Sequence, residues 1–265
     1  MRIALHGATG RMGQAIARLV HEKREGRIVG AIAAPDAPEQ GSDLGEIAGI
    51  GHLGVSITAD HAIGLLGADV VIDFSTAGAI EMLARAVKRA RVALVSGTTG
   101  IDSSGAAALS DAAEVAPVLW APNMSLGIEA LARMARMAIA ALGDDYDVEI
   151  IETHHRQKID APSGTALRLA EAVREARPDL VLRHGREGTT GARKKNELMV
   201  VALRGGDVVG DHTIHLMGPS ERIEITHRAT QRDLFARGAL RAAAWLIGKK
   251  PGRYSLSDLL TDSAG

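Results

Sequence analysis

Residues 1–13 read MRIALHGATGRMG, and this stretch decides the fold of the first half of the chain. A short apolar run, Arg2 to His6, leads directly into glycines at positions 7, 10 and 13. This order predicts a strand, a tight turn and the start of a helix, where backbone N–H groups can bind a pyrophosphate. The spacing differs from G-x-G-x-x-G because Thr9 stands where the second glycine usually lies. An ordinary strand-to-helix turn therefore stays open as the alternative.

The residues that follow alternate short aliphatic runs with alanine-rich stretches, which is typical of βαβ units in a parallel sheet. The sequence therefore predicts an α/β fold with a Rossmann-type, doubly wound parallel sheet. Thr76 and Ser103 stand in N-cap-like positions before two of the helices. Strands are predicted over residues 2–6, 28–33, 70–74, 92–96 and 115–120, and helices over 12–23, 77–90 and 103–114.

The pattern changes after Ala121-Pro122, where a second α+β domain with a mixed sheet is predicted. We expect residues 1–122 to form a dinucleotide-binding domain, with 236–265 packing back on it, and 123–235 to form a substrate-binding and oligomerisation domain. Met134 and Met137 are expected in the core of the second domain. Its predicted helix covers 126–142, and its predicted strands cover 146–154, 198–203, 212–217 and 222–226.

Composition narrows the class of function. The 265 residues carry 31 Lys and Arg against 32 Asp and Glu, and two each of Trp, Tyr and Phe, so we expect no nucleic-acid partner. The chain has no cysteine, which excludes disulfides, thiolate metal ligands and a cysteine nucleophile. Every apolar run is interrupted well before the roughly 20 residues that span a bilayer. With no export signal visible, we expect a cytoplasmic protein without a membrane partner.

The end of the second predicted strand bears on the choice of dinucleotide. An Asp or Glu that binds the ribose hydroxyls is expected there, but the sequence has Ala33-Ala34-Pro35. Without that acid a 2′-phosphate is not repelled, and Arg11 lies in the glycine turn as a possible phosphate partner. We therefore expect either NADH or NADPH as the cofactor.

Polar turns follow three further predicted strands, at residues 73–76, 97–100 and 121–127. In a doubly wound sheet, ligands bind outside the carboxyl ends of the strands. Each turn taken singly is compatible with simple loop chemistry. Together they predict one crevice at this edge of the sheet.

The densest group of chemically active residues is the segment 153–166, THHRQKIDAPSGTA. Two His, one Arg and one Lys precede Ser163, which is a suitable N-cap for a following helix. Cationic groups beside a helix N-terminus suit a carboxylated substrate, and His and Lys can serve as acid–base groups. If the strand continues, His154 and His155 point to opposite sides.

Less active interpretations of these residues stay open. The 153–166 segment is also compatible with a solvated basic loop. The ten His residues raise the possibility of a metal site, but H-E-x-x-H spacing and Cys are both absent from the sequence, so we expect none. Residues 193–195, Arg-Lys-Lys, are expected in a mobile, solvated loop, with a substrate or cofactor gate as the alternative.

The sequence resembles the dihydrodipicolinate reductase family, now called 4-hydroxy-tetrahydrodipicolinate reductase, along its whole length. The family-specific stretch is HHRQKIDAPSGTA at 154–166. The departures are Ala33-Ala34, where an acid is common, and Met124, where an aromatic residue is common. Further matching stretches are GATGRMG at 7–13, DFS at 73–75, GTTG at 97–100, APNMS at 121–125, GDHT at 210–213 and EITHRA at 224–229.

The resemblance implies an oxidoreductase of lysine and diaminopimelate biosynthesis. It would use NADH or NADPH to reduce a cyclic dicarboxylate, 4-hydroxy-tetrahydrodipicolinate, with loss of water, and family members are typically homotetramers joined through the sheet of the second domain. His154 would be the acid–base residue and Lys158 the proton donor. The implied substrate-binding residues are His155, Ser163, Gly164 and Thr165. The implied cofactor-binding residues are Gly7, Ala8, Thr9, Gly10, Arg11, Met12, Phe74, Gly97, Thr98, Thr99, Ala121, Pro122, Asn123 and Met124.

Two other functions are compatible with the same residues. One is a nucleotide-sensing protein that keeps the Rossmann domain but performs no reduction. The other is a reductase of a different carboxylated imine. The presence of His154 and Lys158 argues against the first. Oxidation of NADH or NADPH that depends on the cyclic dicarboxylate separates the implied reaction from both.

Overall fold

A computed structural model describes residues 1–24 and 26–262. The chain divides into two compact units. Unit 1 contains Met1–Met124 and the segment that begins at Asp233, and unit 2 contains Ser125–Arg232. Among the described residues, the helices are all too short or too polar to cross a membrane.

The first part of unit 1 alternates strands and helices in the order that the hydrophobic pattern predicts. The elements are β1 (Arg2–His6), α1 (Arg11–Lys23), β2 (Arg27–Ile32), α2 (Leu44–Ala48), β3 (Ile57–Thr58), α3 (His61–Gly64), β4 (Val70–Asp73), α4 (Ile80–Ala90), β5 (Ala93–Ser96), α5 (Ser103–Ala113) and β6 (Pro117–Trp120). The central strands β4 and β5 are short and fully buried, as strands covered on both faces by helices must be.

Unit 2 begins with a long helix and then builds its own sheet. Along its first strand the burial alternates residue by residue, which is typical of a sheet with one covered face. The elements are α6 (Leu126–Leu142), β7 (Asp147–His154), α7 (Gly164–Ala176), β8 (Val181–Arg183), β9 (Glu197–Arg204), β10 (Gly210–Gly218) and β11 (Glu221–Ala229).

The chain then returns to unit 1 through α8 (Asp233–Leu246), β12 (Gly252–Tyr254) and α9 (Leu256–Asp262). Strand β12 pairs in parallel with β6. The sheet of unit 1 is therefore parallel throughout, in the order β3-β2-β1-β4-β5-β6-β12. Helices α4 and α5 contact each other, and α1 contacts α8. Because the strand order reverses at β1, the carboxyl ends of β1 and β4 border a crevice suited to a ligand.

The sheet of unit 2 is mixed, in the order β11-β10-β7-β9-β8. Strands β10 and β11 are antiparallel to their neighbours, whereas β7, β8 and β9 run parallel to one another. Helices α6 and α7 pack on one face over a core of aliphatic side chains that includes Ile150, Leu198 and Ile214. The other face carries Leu203, whose exposed fraction is 50%.

Both sheets agree with the predicted fold class, a doubly wound parallel sheet and a second mixed sheet. The prediction of Ser103 as an N-cap is wrong. Asp102 caps α5, because its carboxylate accepts a hydrogen bond from Gly105 N at 2.9 Å. The predicted helix over 77–90 begins as a 3₁₀ turn, Ala77–Ala79, before α4 starts at Ile80.

Two further predictions about unit 2 are wrong. Met134 and Met137 are not core residues, because they lie on the outer face of α6 with exposed fractions of 48% and 65%. Arg193 is not solvated, because its Nε lies 2.7 Å from Glu149 Oε1 and its Nη1 lies 2.6 Å from Asp147 Oδ1. Carboxylates on β7, more than forty residues away in sequence, hold the loop at this point.

Candidate active site

The glycine turn of unit 1 brings the backbone of two strand ends into close contact. Gly7 has a φ of +74°, and a Cβ there would lie 2.5 Å from Phe74 O. Its N–H and that of Ala8 both donate to Ile32 O at 3.0 Å. A larger residue would be strained at Gly7 and would also collide with the backbone after β4. Glycine is therefore required here for the turn to exist.

The first helix starts on this turn and leaves its N-terminal N–H groups open to a ligand. A Cβ on Gly13 would lie 2.5 Å from both Gly7 O and Ala8 O, so the helix and the turn pack backbone to backbone. Among the described residues, no side chain caps this helix at Gly10. Free N–H groups and the helix dipole favour an anion. The turn therefore fits the pyrophosphate of a dinucleotide, with Arg11 exposed beside it.

A buried carboxylate joins the ends of the central strands. Asp73 is fully buried and accepts hydrogen bonds from His6 Nδ1 at 2.7 Å, Ser96 Oγ at 2.6 Å and Thr98 Oγ1 at 2.8 Å. It also accepts one from Ser75 N at 3.0 Å. Burial alone would raise the pKa of Asp73, but the hydrogen bond and charge of His6, with those from Ser75 and Ser96, hold it below its ordinary value. The carboxylate is therefore ionised and satisfied.

The polar turns expected to border the crevice do come together. Gly97 N donates to Asp73 O at 2.8 Å, and Ala121 N donates to Ser96 O at 3.0 Å. The Phe74 ring lies against Gly97, where a Cβ would be 2.3 Å from Phe74 Cε1. The turns after β4, β5 and β6 are thus adjacent at one edge of the sheet, as predicted.

The remaining residues implied for the cofactor differ in how far they are exposed. Thr98 and Met124 are buried, whereas Thr99 and Pro122 are exposed. Asn123 is half-buried. The side chain of Thr98 is therefore occupied by its hydrogen bond to Asp73, and Thr99 and Pro122 are the implied residues that are accessible at the surface.

The end of β2 carries no acid in the position that usually binds a ribose. Ala33 is buried and Ala34 is exposed, and Gln40 Nε2 donates to Ala34 O at 2.7 Å. The later acid Asp36 is exposed. A carboxylate that would repel a 2′-phosphate is therefore missing from the strand end itself.

In unit 2, the candidate acid–base residue is held by a buried carboxylate two residues earlier on β7. His154 Nδ1 lies 2.6 Å from Glu152 Oε2, and both side chains are buried on the same face of the strand. Arg204 donates to both carboxylate oxygens, at 2.8 and 2.9 Å, and Ser163 N donates to Oε1 at 2.9 Å. Glu152 therefore ties together a strand, its neighbour β9 and the start of α7.

The start of α7 is capped as predicted. Ser163 Oγ accepts a hydrogen bond from Ala166 N at 3.1 Å and lies 3.3 Å from His212 Nε2. Burial, followed by the charge of His154, lowers the pKa of His212 to about 4 against the opposing carboxylate of Glu152. His212 is therefore neutral at pH 7 and its ring meets that of His154 edge-on, with centroids 5.2 Å apart.

Lys158 and His155 lie in the loop that connects β7 to α7. Lys158 Nζ pairs with Asp160 Oδ1 at 2.8 Å, and Lys158 N donates to His155 O at 3.1 Å. The hydrogen bond from Lys158 lowers the pKa of Asp160, so the carboxylate is ionised beside the ammonium group. His155 lines a cavity of about 590 Å³ whose other lining residues include Arg156 and Arg232. Within the described part of the chain, the buried Nδ1 of His155 has no hydrogen-bond partner, which suits an anionic ligand.

The first residues of α7 complete this cationic region. Gly164 is exposed, and a Cβ there would meet open space, so the helix N-terminus is accessible. Thr165 is half-buried. The structure thus brings His154 and Ser163 together through Glu152 and places Gly164 and Thr165 directly after them.

Sequence reasoning did not select Glu152 or Arg204. It included His212 among the ten histidines weighed for a metal site and in the matching stretch 210–213, but gave it no role. For Glu152 a signal exists, because a spacing of two on a strand puts it on the same face as His154. For Arg204 the contact depends on the parallel pairing of β7 with β9. Across residues 1–24 and 26–262, no group of three or more His, Asp or Glu is arranged to hold a metal ion.

The two units therefore carry different functional groups. Unit 1 has a glycine turn and an uncapped helix N-terminus for a pyrophosphate. Unit 2 has a histidine with a fixed buried partner, a lysine and a second helix N-terminus for carboxylates. The combination suits proton-assisted reduction of a carboxylated small molecule by a dinucleotide.

Comparison with known proteins finds the same relationship along both units. The family described as dihydrodipicolinate reductase matches with its N-terminal model over residues 1–124 and with its C-terminal model over residues 127–260. The 4-hydroxy-tetrahydrodipicolinate reductase of Anaeromyxobacter dehalogenans is 47% identical over 262 residues, which cover 98% of this chain and 97% of that protein. The enzyme of the same name from Myxococcus xanthus is 45% identical over 264 residues, with 98% and 97% coverage.

Solved structures agree. A dipicolinate-bound dihydrodipicolinate reductase from a Paenisporosarcina species superposes with a TM-score of 0.78 at 25% identity, covering 96% of this chain and 97% of that one. An amine dehydrogenase from Mycobacterium smegmatis superposes with a TM-score of 0.61 at 13% identity, covering 97% of this chain and 95% of that one. The second likeness shows the fold alone.

Proposed function

The chain belongs to the dihydrodipicolinate reductase family, and from this premise we propose how its own residues carry out the NAD(P)H-dependent reduction of 4-hydroxy-tetrahydrodipicolinate. The reaction removes water from the cyclic dicarboxylate and gives tetrahydrodipicolinate, in the biosynthesis of lysine. The observation that carries the proposal is the buried Glu152–His154 pair at the end of β7, followed by Lys158 and the capped N-terminus of α7.

Unit 1 holds the dinucleotide in this proposal. The pyrophosphate binds to the backbone of residues 7–12, where α1 begins without a side-chain cap among the described residues. The turns at 97–99 and 121–124, together with Phe74, border the nicotinamide. When bound, the reduced dinucleotide supplies the hydride.

Unit 2 holds the substrate through its two carboxylates. His155 offers a buried Nδ1 that has no partner within the described part of the chain. The N-terminus of α7, with Gly164 and Thr165 after the cap Ser163, offers backbone N–H groups and a favourable dipole. Both are typical partners for a carboxylate.

His154 and Lys158 move the protons. Glu152 is an acceptor for His154 Nδ1, so His154 Nε2 is the atom that exchanges a proton with the substrate. Lys158 is held as an ammonium group beside Asp160 and serves as a proton donor. Proton transfer by His154 and Lys158 requires neither a metal ion nor a covalent nucleophile.

The same chain is proposed to accept both NADH and NADPH. Ala33 and Ala34 at the end of β2 supply no carboxylate that would repel a 2′-phosphate. Arg11 is exposed at the glycine turn and carries the opposite charge. The ratio of kcat/KM for the two cofactors measures the preference directly.

The reaction is tested by following the oxidation of NADH or NADPH in the presence of a dihydrodipicolinate synthase, which makes the substrate from pyruvate and aspartate semialdehyde. Oxidation that requires both enzymes is the expected result. Binding of NADH without oxidation, while the substrate demonstrably forms, would favour a nucleotide-sensing protein. If NADH or NADPH is oxidised only when a different carboxylated imine is supplied, the chain is the reductase of that imine.

The role assignment is tested by His154→Ala and Lys158→Ala. Each is expected to lower kcat by about 10²-fold or more, because each removes a proton-transfer group. The matched controls are His184→Ala, an exposed residue of unit 2, and Lys88→Ala, a half-buried ion-pair partner on α4. Near-normal turnover in both site variants would refute the assignment.

A homotetramer joined through the sheet of unit 2 is part of the proposal. One face of this sheet is covered by α6 and α7, and the other carries aliphatic residues that include Leu203, Val201 and Ile151. Val201 and Ile151 are directly paired across β9 and β7. An apolar sheet face of this kind is commonly buried between copies of a chain.

We also propose that the protein works in the cytoplasm. The support is chemical, since a biosynthetic reductase consumes reduced dinucleotide, which cells maintain in that compartment. Fractionation of cells with an antibody to the chain tests this, and recovery outside the cytoplasmic fraction would contradict it.

A further inference from the structure

Glu152 is the most highly connected carboxylate of unit 2, although the proposed chemistry does not use it directly. It is fully buried on β7 and accepts four hydrogen bonds, all of 2.9 Å or shorter. Two come from Arg204, one from Ser163 N and one from His154 Nδ1. A carboxylate has about four acceptor positions, so Glu152 has no capacity left for a ligand.

The protonation of this group determines which nitrogen of His154 carries a hydrogen. Burial alone would raise the pKa of Glu152, but hydrogen bonds from Arg204, His154 and Ser163 hold it below its ordinary value. An ionised carboxylate can only accept hydrogen bonds. The hydrogen between the two side chains must therefore lie on His154 Nδ1, and in the uncharged form of the ring the lone pair is then on Nε2.

The surroundings of His154 hold the ring in one orientation. A Cβ on Gly210 would lie 2.9 Å from His154 Nε2, so the absence of a side chain there keeps space beside this atom. The ring of His212 packs edge-on against that of His154. Gly210 has no side chain, and His212 contacts His154 through its ring. The contact between His154 Nδ1 and Glu152 is therefore the polar contact that selects the tautomer.

We propose that Glu152 is a positioning residue, which fixes His154 in the Nδ1–H tautomer and joins it through Ser163 N to the N-terminus of α7. This inference rests on the proposed role of His154 in proton transfer. It explains why one carboxylate contacts the acid–base residue and the capping residue of the carboxylate-binding helix together.

Glu152→Gln tests this with a change of one atom. The amide keeps one acceptor oxygen and replaces the other with an NH₂ group. Ser163 N–H is always a donor, whereas an imidazole can exchange tautomers, so the amide oxygen is expected to face Ser163. The NH₂ group then faces His154 Nδ1 and Arg204 Nη1, the two groups that contact Oε2. Arg204 Nη1 keeps Leu203 O as an acceptor, at 2.6 Å, and His154 responds by moving its hydrogen to Nε2.

The readout is the ¹⁵N chemical shift of His154 in histidine-labelled protein without dinucleotide, at a pH where the ring is neutral. His154→Asn identifies the signal by its loss. The unsubstituted protein is expected to show the Nδ1–H tautomer and Glu152→Gln the Nε2–H tautomer. In the kinetic assay, Glu152→Gln is expected to lower kcat by roughly 10²-fold, because the wrong tautomer of His154 removes its contribution to proton transfer. KM is expected to change less than about threefold because Ser163 N keeps its acceptor.

Glu149→Gln is the matched control, because Glu149 lies on the same strand and pairs with Arg186 and Arg193, away from His154. It is expected to leave both the tautomer and kcat unchanged. An Nε2–H tautomer in the unsubstituted protein would overturn the inference, whether or not Glu152→Gln folds. An unchanged tautomer and kcat in a folded Glu152→Gln would also overturn it.

These outcomes are separable from failure of the proposed function. If His154→Ala turns over normally, the role of His154 fails, and the tautomer measurement still reports on Glu152. If His154→Ala is impaired while Glu152→Gln matches the unsubstituted protein in both readouts, the positioning role alone fails.

Discussion

At the scale of single residues, the buried carboxylate of Asp73 stabilises the edge of the parallel sheet that faces the proposed dinucleotide. Its oxygens accept hydrogen bonds from side chains on β1 and β5 and from the turn after its own strand. Removing such an acceptor leaves buried donors without partners, and that cost exceeds the value of the bonds themselves. The stability of this edge therefore depends on one side chain.

Asp73→Asn is expected to lower the free energy of unfolding by about 3–5 kcal/mol, because the amide presents hydrogens to buried donors and so leaves several of them without an acceptor. Urea denaturation at pH 7 measures the change. Asp69→Asn is the control, since Asp69 pairs with Arg2 at the surface, where such pairs contribute less than about 1 kcal/mol. Equal losses in the two variants would contradict the account.

His212 makes a separate prediction about pH. Its pKa of about 4 in the folded protein lies below the ordinary value of 6.5, so the unfolded chain takes up a proton first as the pH falls. Stability from the neutral ring is thus complete above about pH 6.5 and is lost as the pH falls towards 4. At pH 5 the loss is expected to be about 2 kcal/mol.

His212→Gln should remove this part of the acid sensitivity, which is measured as the difference in unfolding free energy between pH 7 and pH 5. The exposed His184→Gln is the control and should behave like the unsubstituted protein. A pH dependence that is the same in all three proteins would show that His212 does not titrate as described.

At the scale of elements, α1 and the glycine turn form one packed unit. The contact is between backbone atoms, since Gly13 in the helix lies against the carbonyls of Gly7 and Ala8. Such contacts cannot be relieved by a change of rotamer, so an added methyl group must move the turn or the helix.

Gly13→Ala is therefore expected to weaken NADH binding by about 1–3 kcal/mol, which is about 5- to 150-fold, because the pyrophosphate loop must shift. Isothermal titration with NADH measures this. Gly78→Ala is the control, since a Cβ at Gly78 would meet open space. Unchanged affinity in Gly13→Ala, with the fold intact, would remove the turn from the binding site.

The ends of helices α5 and α6 show how well local sequence predicts the boundaries of an element. Helix α6 was predicted to the residue, because its apolar pattern lies between Ser125 and Gly143, both of which act as caps. The prediction of the cap of α5 failed because Asp102 and Ser103 are adjacent and both are good capping residues. Only the backbone conformation shows that Asp102 is the residue outside the helix.

At the scale of the whole molecule, each unit has its own sheet and its own core. The sheet of unit 1 includes β12, near the end of the chain, so residues far apart in sequence complete one layer. Among the residues that the structure describes, helices α6 and α7 cover one face of the sheet of unit 2, and the other face carries aliphatic side chains that include Leu203.

Light scattering on the purified chain is expected to give four times the mass of one chain. Leu203→Glu should shift it to a smaller species, because a charge would be buried against the apolar face of another copy. Leu66→Glu, at an exposed position of unit 1, should leave the mass unchanged. A tetramer that persists in Leu203→Glu would place the contact elsewhere.

The sequence by itself determined the two kinds of sheet, most of the long helices and strands, and the glycine turn. These features depend on short-range patterns: apolar periodicity, glycine spacing and turn residues. It missed the short strands β3, β8 and β12, because two or three residues carry too little periodicity and form only where a neighbour pairs with them.

Only the tertiary structure decided which side chains surround the chemically active ones. Arg204 reaches Glu152 across fifty-two positions of sequence, and His6 reaches Asp73 across sixty-seven. Arg193 is likewise bound to a carboxylate on β7. Met137 faces outward because the packing of α6 buries a different face of the helix. Each of these contacts follows from strand pairing and helix packing between distant segments, which local periodicity does not encode.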